Sequence, residues 1–215
     1  MLGFLKKSII ETGRYFEKSD RKILNAFYDA LKQYNNYLKM MTTGFISLDV
    51  LGKNADMKVI KNIIRKDNNR RILILGHSYN IYDQYINMEL VKKLKDFKFD
   101  LITAEMIDEK KAREYAKKLP KRMFWTHGQR IIGAAYYLIE EKSISGIIYV
   151  SAFGCGLDSV FIDLIERKAK KAKIPFTLLT IDEQTGEAGV NTRLEAFTDM
   201  LDWRLKDESN FSTLW

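Results

Sequence analysis

The only cysteine of the chain, Cys155, lies in the segment SAFGCGLDSVF, directly between Gly154 and Gly156. An apolar run precedes this segment and an amphipathic run follows it, so the sequence predicts a turn just ahead of a helix. Amide N–H groups and the helix dipole stabilise a thiolate at such a point, and the thiolate is the form that attacks electrophiles and binds metals. Three interpretations stay open: a metal ligand, a reactive thiol, and a small residue that fills a tight turn.

Both histidines of the chain lie in two other candidate segments. His77 stands between Gly76 and Ser78 in GHSYN, where a phosphate or cofactor could bind, although the motif is neither a Walker loop nor a dinucleotide fingerprint. His127 and Gln129 lie in FWTHGQR, at the expected start of a helix. A hydrogen-bonded structural role for His127 is at least as well supported as a role as acid or ligand.

The loop DEQTGEAG holds the carboxylates Asp182, Glu183 and Glu187, with Gly186 between them. These carboxylates would bind Mg²⁺ if they converged. Carboxylates at a strand end also accept hydrogen bonds from loop amides, and this structural interpretation is favoured. Arg193 either pairs with a carboxylate of its own helix or reaches back to the crevice.

The elements that must position these segments are indicated by hydrophobic periodicity. Short β-branched runs at 71–75, 99–104, 145–151 and 175–181 predict four parallel strands buried on both faces. Amphipathic runs between and after them predict helices at about 84–97, 108–119, 128–142, 157–172 and 188–204. The predicted fold is therefore an α/β, Rossmann-like, doubly wound parallel sheet over 67–215. In such a sheet, ligands bind beyond the carboxyl ends of the strands, where the candidate segments lie.

Residues 1–66 predict a helical lead-in. Apolar residues recur at spacings of three and four from Ser19, a plausible N-cap, and Gly44 follows the expected helix end. The run KDNNRR at 66–71 predicts a boundary. The large apolar residues of this face need burial, so a homodimer is expected if no other domain covers them.

The amino-acid composition limits which partners and which cellular location are expected for this protein. Residues 1–70 contain 14 Lys/Arg and 7 Asp/Glu, and the basic residues are scattered rather than grouped in a dense block. This distribution argues against nucleic-acid binding and favours a solvated helical face or a docking surface for an acidic partner. A single cysteine excludes an intrachain disulfide framework. No apolar stretch reaches the roughly 20 residues of a membrane span, and no secretory signal is recognised, so a cytoplasmic location without membrane contact is expected.

Three segments together resemble a known family. ILILGHSYNIYD, SAFGCGLDSVFIDLIE and IDEQTGEAGVNTRLEAFTDML are similar to the activase-related proteins of the 2-hydroxyacyl-CoA dehydratase group, which also resemble the double-cubane iron–sulfur cluster reductases. The resemblance covers about 20–203. It implies Rossmann-like α/β domains, a cysteine-ligated iron–sulfur cluster such as a 4Fe-4S cluster at the carboxyl ends of the strands, and electrons from a partner ATPase of the actin-like sugar kinase superfamily.

By resemblance, Cys155 matches a cluster ligand of the last α/β domain, and Gly154 and Gly156 match the turn that presents it. Members of the group usually begin with a further cysteine-containing α/β domain, whereas this sequence begins in the helical linker that would follow. The resemblance therefore implies the C-terminal half alone, and no activity is expected of the isolated chain.

Two main hypotheses follow, with a thiol enzyme as a weaker third. In the first, Cys155 ligates an iron–sulfur cluster completed by another domain or chain, and an ATPase activator supplies the electron. In the second, the chain is a non-catalytic domain that binds a nucleotide, CoA or a partner protein, and Cys155 is structural.

Overall fold

The computed structural model describes residues 2–42 and 70–212. The chain divides into two compact units, Met1–Met40 and Met41–Trp215. The predicted boundary at 66–71 and the predicted helix end at Gly44 fall largely or wholly outside the described residues, so the division at residue 66 stays a prediction.

The larger unit contains a four-stranded, all-parallel sheet. Its strands are β1 (Arg71–Gly76), β2 (Asp100–Thr103), β3 (Gly146–Ala152) and β4 (Phe176–Ile181). The spatial order is β2-β1-β3-β4, and the two central strands are almost entirely buried. Their largely apolar sequences suit burial on both faces. The predicted α/β fold and its four strands are confirmed.

The helices of the larger unit connect or follow these strands. Over residues 70–212 they are α3 (Ser78–Tyr82), α4 (Leu90–Asp96), α5 (Glu109–Ala116), α6 (Thr126–Glu140), α7 (Gly156–Lys171) and α8 (Glu187–Ser212), with a 3₁₀ turn at Ala104–Met106. Gly133 of α6 lies so close to α5 that a Cβ atom would stand 1.8 Å from the carbonyl oxygen of Ala112. These two helices therefore pack backbone to backbone.

The single helix predicted over 84–97 is wrong, because the chain bends before α4 begins. The Asp83 carboxylate accepts hydrogen bonds from the amides of Tyr85 and Ile86, and Met88 and Glu89 adopt left-handed backbone angles. An aspartate that bonds to amides just after it competes with helix formation. Only the second half of the predicted segment is helical.

The smaller unit contains α1 (Leu2–Gly13) and all of α2 (Asp20–Thr42) except its last two residues. Ser19 accepts a hydrogen bond from the Lys22 amide at 3.4 Å, as its predicted N-cap role requires. Arg14 binds both carboxylate oxygens of Asp20, which fixes the turn between the helices. The predicted helical N-terminal segment is thereby confirmed over its described residues. None of the helices in the described ranges is long and apolar enough to span a bilayer.

Candidate functional site

The strand order reverses between β1 and β3, and this is where the crevice of a doubly wound sheet opens. Gly76, the last residue of β1, is paired with Val150 of β3. It has φ +142°, and a Cβ atom there would lie 2.2 Å from the Val150 carbonyl oxygen. Only glycine permits this approach, which brings the residues after both strands together.

Cys155 directly precedes α7, which begins at Gly156, one residue before the predicted start at 157. Its amide donates to the Ala152 carbonyl oxygen at 3.2 Å, and its own carbonyl oxygen accepts from the Ser159 amide and hydroxyl. Gly154 has φ +75°, so glycine is needed there for the backbone, and a Cβ on Gly154 or Gly156 would meet no atom within 4 Å. The half-buried cysteine therefore sits on an open turn.

Three side chains with metal-binding atoms converge at the reversal point. One ligand atom from each of His77, Cys155 and Asp158 lies within 4.8 Å of the others. His77 follows β1, whereas Cys155 and Asp158 belong to the turn and first helical turn after β3. The predicted proximity of GHSYN and FGCGLDS is thus seen in the structure.

Asp158 is the most deeply buried member of this cluster, with a fully inaccessible side chain. Its Oδ1 accepts from the Tyr149 hydroxyl at 2.8 Å, and its Oδ2 accepts from the Ser151 hydroxyl at 2.9 Å. Tyr149 and Ser151 are two apart on β3 and so project to the same face of the sheet. The strand thereby holds the carboxylate in a single orientation.

Aromatic rings hold the His77 imidazole. The rings of His127 and Tyr79 both stack on it at interplanar angles of 16°, with centroid distances of 4.4 Å and 5.4 Å. The His127 Nε2 atom is buried and has no hydrogen-bond partner among the described residues. Burial, and then the neighbouring His77, lower the pKa of His127. The pair brings both histidines of the sequence into one site.

Burial also keeps the nearby phenols protonated. The pKa of Tyr149 is raised far above its usual range, first by burial and then by Asp158, so its hydroxyl remains a donor to the carboxylate. Burial, followed by Cys155 and Asp158, raises the pKa of Tyr79. Both tyrosines therefore remain neutral beside the cluster.

Glu105, just after β2, organises the adjoining edge of the crevice. Its carboxylate accepts from Ser78 at 3.1 Å and from Tyr82 at 3.0 Å, and its carbonyl oxygen accepts from Arg130 at 3.0 Å. The Ser78 hydroxyl is therefore engaged within the protein. This contact ties α3 to the end of β2.

Gln129 and Gly128 support the start of α6. The Gln129 side-chain amide donates to the Met123 carbonyl oxygen at 2.7 Å. A Cβ on Gly128 would lie 2.5 Å from the Phe161 ring, so glycine allows α6 to approach α7 closely. In the structure, the Gln129 side chain therefore stabilises the loop before α6. A role for Gln129 in lining the site stays a prediction.

The acidic loop follows β4, which pairs with β3 as far as Ala152 and Ile181. The Asp182 carboxylate accepts from the Thr185 hydroxyl and the Gln184 amide, and the Thr185 hydroxyl bond lowers its pKa. Glu187 pairs with Lys93 at 2.6 Å, and Glu183 is exposed. Within the described ranges, these carboxylates do not form a metal-binding group. Their predicted cofactor contacts stay a prediction.

A cavity of about 410 Å³ opens beside this loop. It is lined by backbone and side chains of the loop and by the first turns of α8, including Gly186 and Gly189. Arg193, one of the predicted site residues, also lines it and is exposed. The predicted site residues thus fall into two groups, one between β1 and β3 and one beyond β4.

Three site residues were not anticipated from the sequence: Tyr149, Ser151 and Asp158. Tyr149 and Ser151 stand out only as polar groups at alternate positions of an otherwise apolar strand. Asp158 looks like an ordinary acidic residue of a first helical turn. Their meeting depends on the strand-to-helix geometry, which the sequence pattern does not specify.

Fold and site together define a Rossmann-like α/β protein with a polar cluster at its strand-order reversal. A family model described as a CoA enzyme activase uncharacterised domain matches residues 3–107. This match confirms the predicted resemblance to activase-related proteins. It includes the GHSYN segment and ends before Cys155. No curated protein matches the chain significantly.

Proposed function

We propose that the chain is a component of an iron–sulfur redox protein related to the 2-hydroxyacyl-CoA dehydratases and their activase-related proteins. Cys155 is one cluster ligand, and another domain or chain completes the set. The principal observation is the position of Cys155 on an open glycine turn beyond β3, next to the residues that follow β1. Ligands from a second body can approach the thiol there.

The donor set of the chain fits a cluster only in part. An iron–sulfur cluster takes about four thiolates, or three with one iron left open. The sequence has one cysteine, so Cys155 fits as a single contributed ligand. A bound cluster would supply one-electron chemistry, and the chain's own role is to hold one corner of it at the crevice.

Exposed aromatic side chains around the crevice support a covering partner. Phe153, two residues before Cys155, is 75% exposed, and Tyr79 and Trp125 are also exposed. Aromatic residues are enriched in the cores of protein interfaces. We propose a cysteine-containing domain or chain as the cover and an ATPase activator as the electron donor, in the cytoplasm. The isolated chain is inactive in this proposal.

The test is the visible absorption of the anaerobically reconstituted chain with a co-encoded cysteine-rich partner, before and after reduction. The wild-type mixture should show a broad iron–sulfide absorption that bleaches on reduction. Cys155→Ser should reduce this signal, whereas Ser159→Ala, which alters the same turn but removes no thiolate, should not. A signal equal in wild type and Cys155→Ser would refute the proposal.

A second candidate function is binding of a nucleotide or CoA in the cavity beyond β4. Its size, its glycines and the exposed Arg193 favour a phosphate-bearing ligand. Calorimetric titration with ADP and with CoA tests this function. Binding to the wild type that is lost in Arg193→Gln would support it, and no heat with either ligand would reject it.

A further inference from the structure

The spacing of the His77, Cys155 and Asp158 cluster matches a single tetrahedral metal ion. Zinc bonds to cysteine, histidine and aspartate are about 2.0–2.3 Å long, so neighbouring ligand atoms of a tetrahedral site lie about 3.3–3.8 Å apart. His77 Nε2 and Asp158 Oδ1 are 3.5 Å apart. That distance is long for an N–H···O hydrogen bond and falls within the tetrahedral range.

The remaining ligand atom needs only a small adjustment. All three atoms lie within 4.8 Å of one another, so closing around one ion requires a movement of about 1 Å. The Cys155 turn has open space at both flanking glycines, which permits such a movement. Three protein ligands of mixed type leave a fourth position free.

The burial of Asp158 gives an independent reason for a cation. Its side chain is fully inaccessible, and its two hydrogen bonds from Tyr149 and Ser151 come from neutral hydroxyls. Among the residues that the structure describes, no lysine or arginine pairs with it, and the basic side chain that it contacts is that of His77, whose Nε2 lies 3.5 Å from Oδ1. A buried carboxylate is costly unless a cation or a metal compensates it.

The surroundings of the cluster resemble an outer ligand shell. Tyr149 and Ser151 fix the carboxylate, and the stacked rings of His127 and Tyr79 fix the plane of the His77 imidazole. Such outer contacts orient metal ligands before the ion arrives. The Asp158 and His77 side chains are thus each held by groups that are not ligands themselves.

We propose that His77, Cys155 and Asp158 of one chain bind a single divalent ion of the zinc type. This site goes beyond the proposed function, because it needs no second chain and no sulfide. It shares only the Cys155 thiolate with the proposed iron–sulfur site. The two proposals therefore predict metal binding under different conditions and with different sensitivity to His77.

The experiment uses the isolated full chain, stripped of metal under reducing conditions. Zn²⁺ is titrated against a chromophoric chelator, and Co²⁺ is titrated while its visible and near-ultraviolet absorption is recorded. We expect one ion per chain, with tetrahedral cobalt bands and a thiolate-to-cobalt charge-transfer band. Cys155→Ser should abolish the charge-transfer band, and His77→Gln should weaken binding at least about 100-fold.

Ser159→Ala is the matched control, since it changes the turn that carries Cys155 but removes neither a ligand atom nor a ring that packs on a ligand. It should keep the wild-type stoichiometry and the charge-transfer band. The side chains of His77 and Cys155 reach the surface, so their variants are preferable to Asp158→Asn, which alters a buried network. Circular dichroism verifies that each variant is folded.

Two results would overturn the single-ion site: no stoichiometric binding to the wild-type chain, or binding that survives both His77→Gln and Cys155→Ser. Cluster assembly with the partner is measured on the same variants. Assembly without zinc binding would reject this site alone, and zinc binding without assembly would reject the redox proposal alone.

Discussion

At the scale of single residues, the site depends on how β3 holds Asp158. The carboxylate is out of reach of solvent and receives hydrogen bonds from Tyr149 and Ser151, which project from the same face of the strand. A buried charged acceptor that loses one donor keeps its desolvation cost without the compensating bond. Removal of the Tyr149 hydroxyl should therefore lower the free energy of unfolding.

Tyr149→Phe removes this hydroxyl and leaves the ring in place. We expect the free energy of unfolding to fall by about 1–3 kcal/mol, measured by urea denaturation at neutral pH. The control is Tyr79→Phe, which removes a hydroxyl from a residue that is 54% exposed and should change stability little. Equal stability of Tyr149→Phe and wild type would show that the carboxylate does not depend on this donor.

The sequence was informative about Cys155 and much less so about its neighbours. Flanking glycines at the end of an apolar run predict a turn, and Gly154 does adopt a positive φ. Asp158 gives no such signal, because acidic residues are common in first helical turns for reasons of charge alone. Its burial arises from the exact direction in which α7 leaves β3.

At the scale of elements, the crevice exists because β1 and β3 end within contact of each other. Gly76→Ala would place a Cβ 2.2 Å from the Val150 carbonyl oxygen, at a backbone angle that side chains rarely adopt. We expect a loss of roughly 3 kcal/mol or more in the free energy of unfolding, or failure to fold. Thermal and urea denaturation measure this loss.

Gly156→Ala provides the comparison for this variant. Gly156 begins α7, and a Cβ there meets no atom within 4 Å. The free energy of unfolding of the Gly156→Ala variant should therefore be within about 1 kcal/mol of the wild-type value. Similar losses in both variants would contradict the claim that the close approach at Gly76, rather than the loss of glycine itself, sets the geometry.

The four strands were predictable because their apolar, β-branched runs match burial on both faces. The segment 84–97 was not, since its apolar spacing suits a helix while Asp83 and the left-handed Met88 and Glu89 interrupt it. Local hydrogen bonds that compete with the helix leave little trace in periodicity. Order and register of the strands come from packing across the sheet.

At the scale of the whole molecule, the helical unit has exposed apolar side chains among its described residues. Leu31 and Tyr34 of α2 are exposed by 37% and 55%. We predict a homodimer at micromolar concentration through this face, measured by light scattering. The double variant Leu31→Glu/Tyr34→Glu should be monomeric, because charges on an apolar contact are costly to bury.

The control for this prediction is Gln33→Glu/Asn36→Glu, which adds the same two charges to α2 without removing an apolar side chain. It should remain dimeric. A wild-type chain that is monomeric at micromolar concentration would contradict the dimer.

The most direct test of the central claim, that Cys155 is a cluster ligand, is the amount of iron and acid-labile sulfide per chain. It is measured after anaerobic reconstitution, for wild type and Cys155→Ser, alone and with a co-encoded cysteine-rich partner. Iron and sulfide that require both the partner and Cys155 are the predicted result. Absence of both elements with the partner present, or equal amounts in Cys155→Ser, would contradict it.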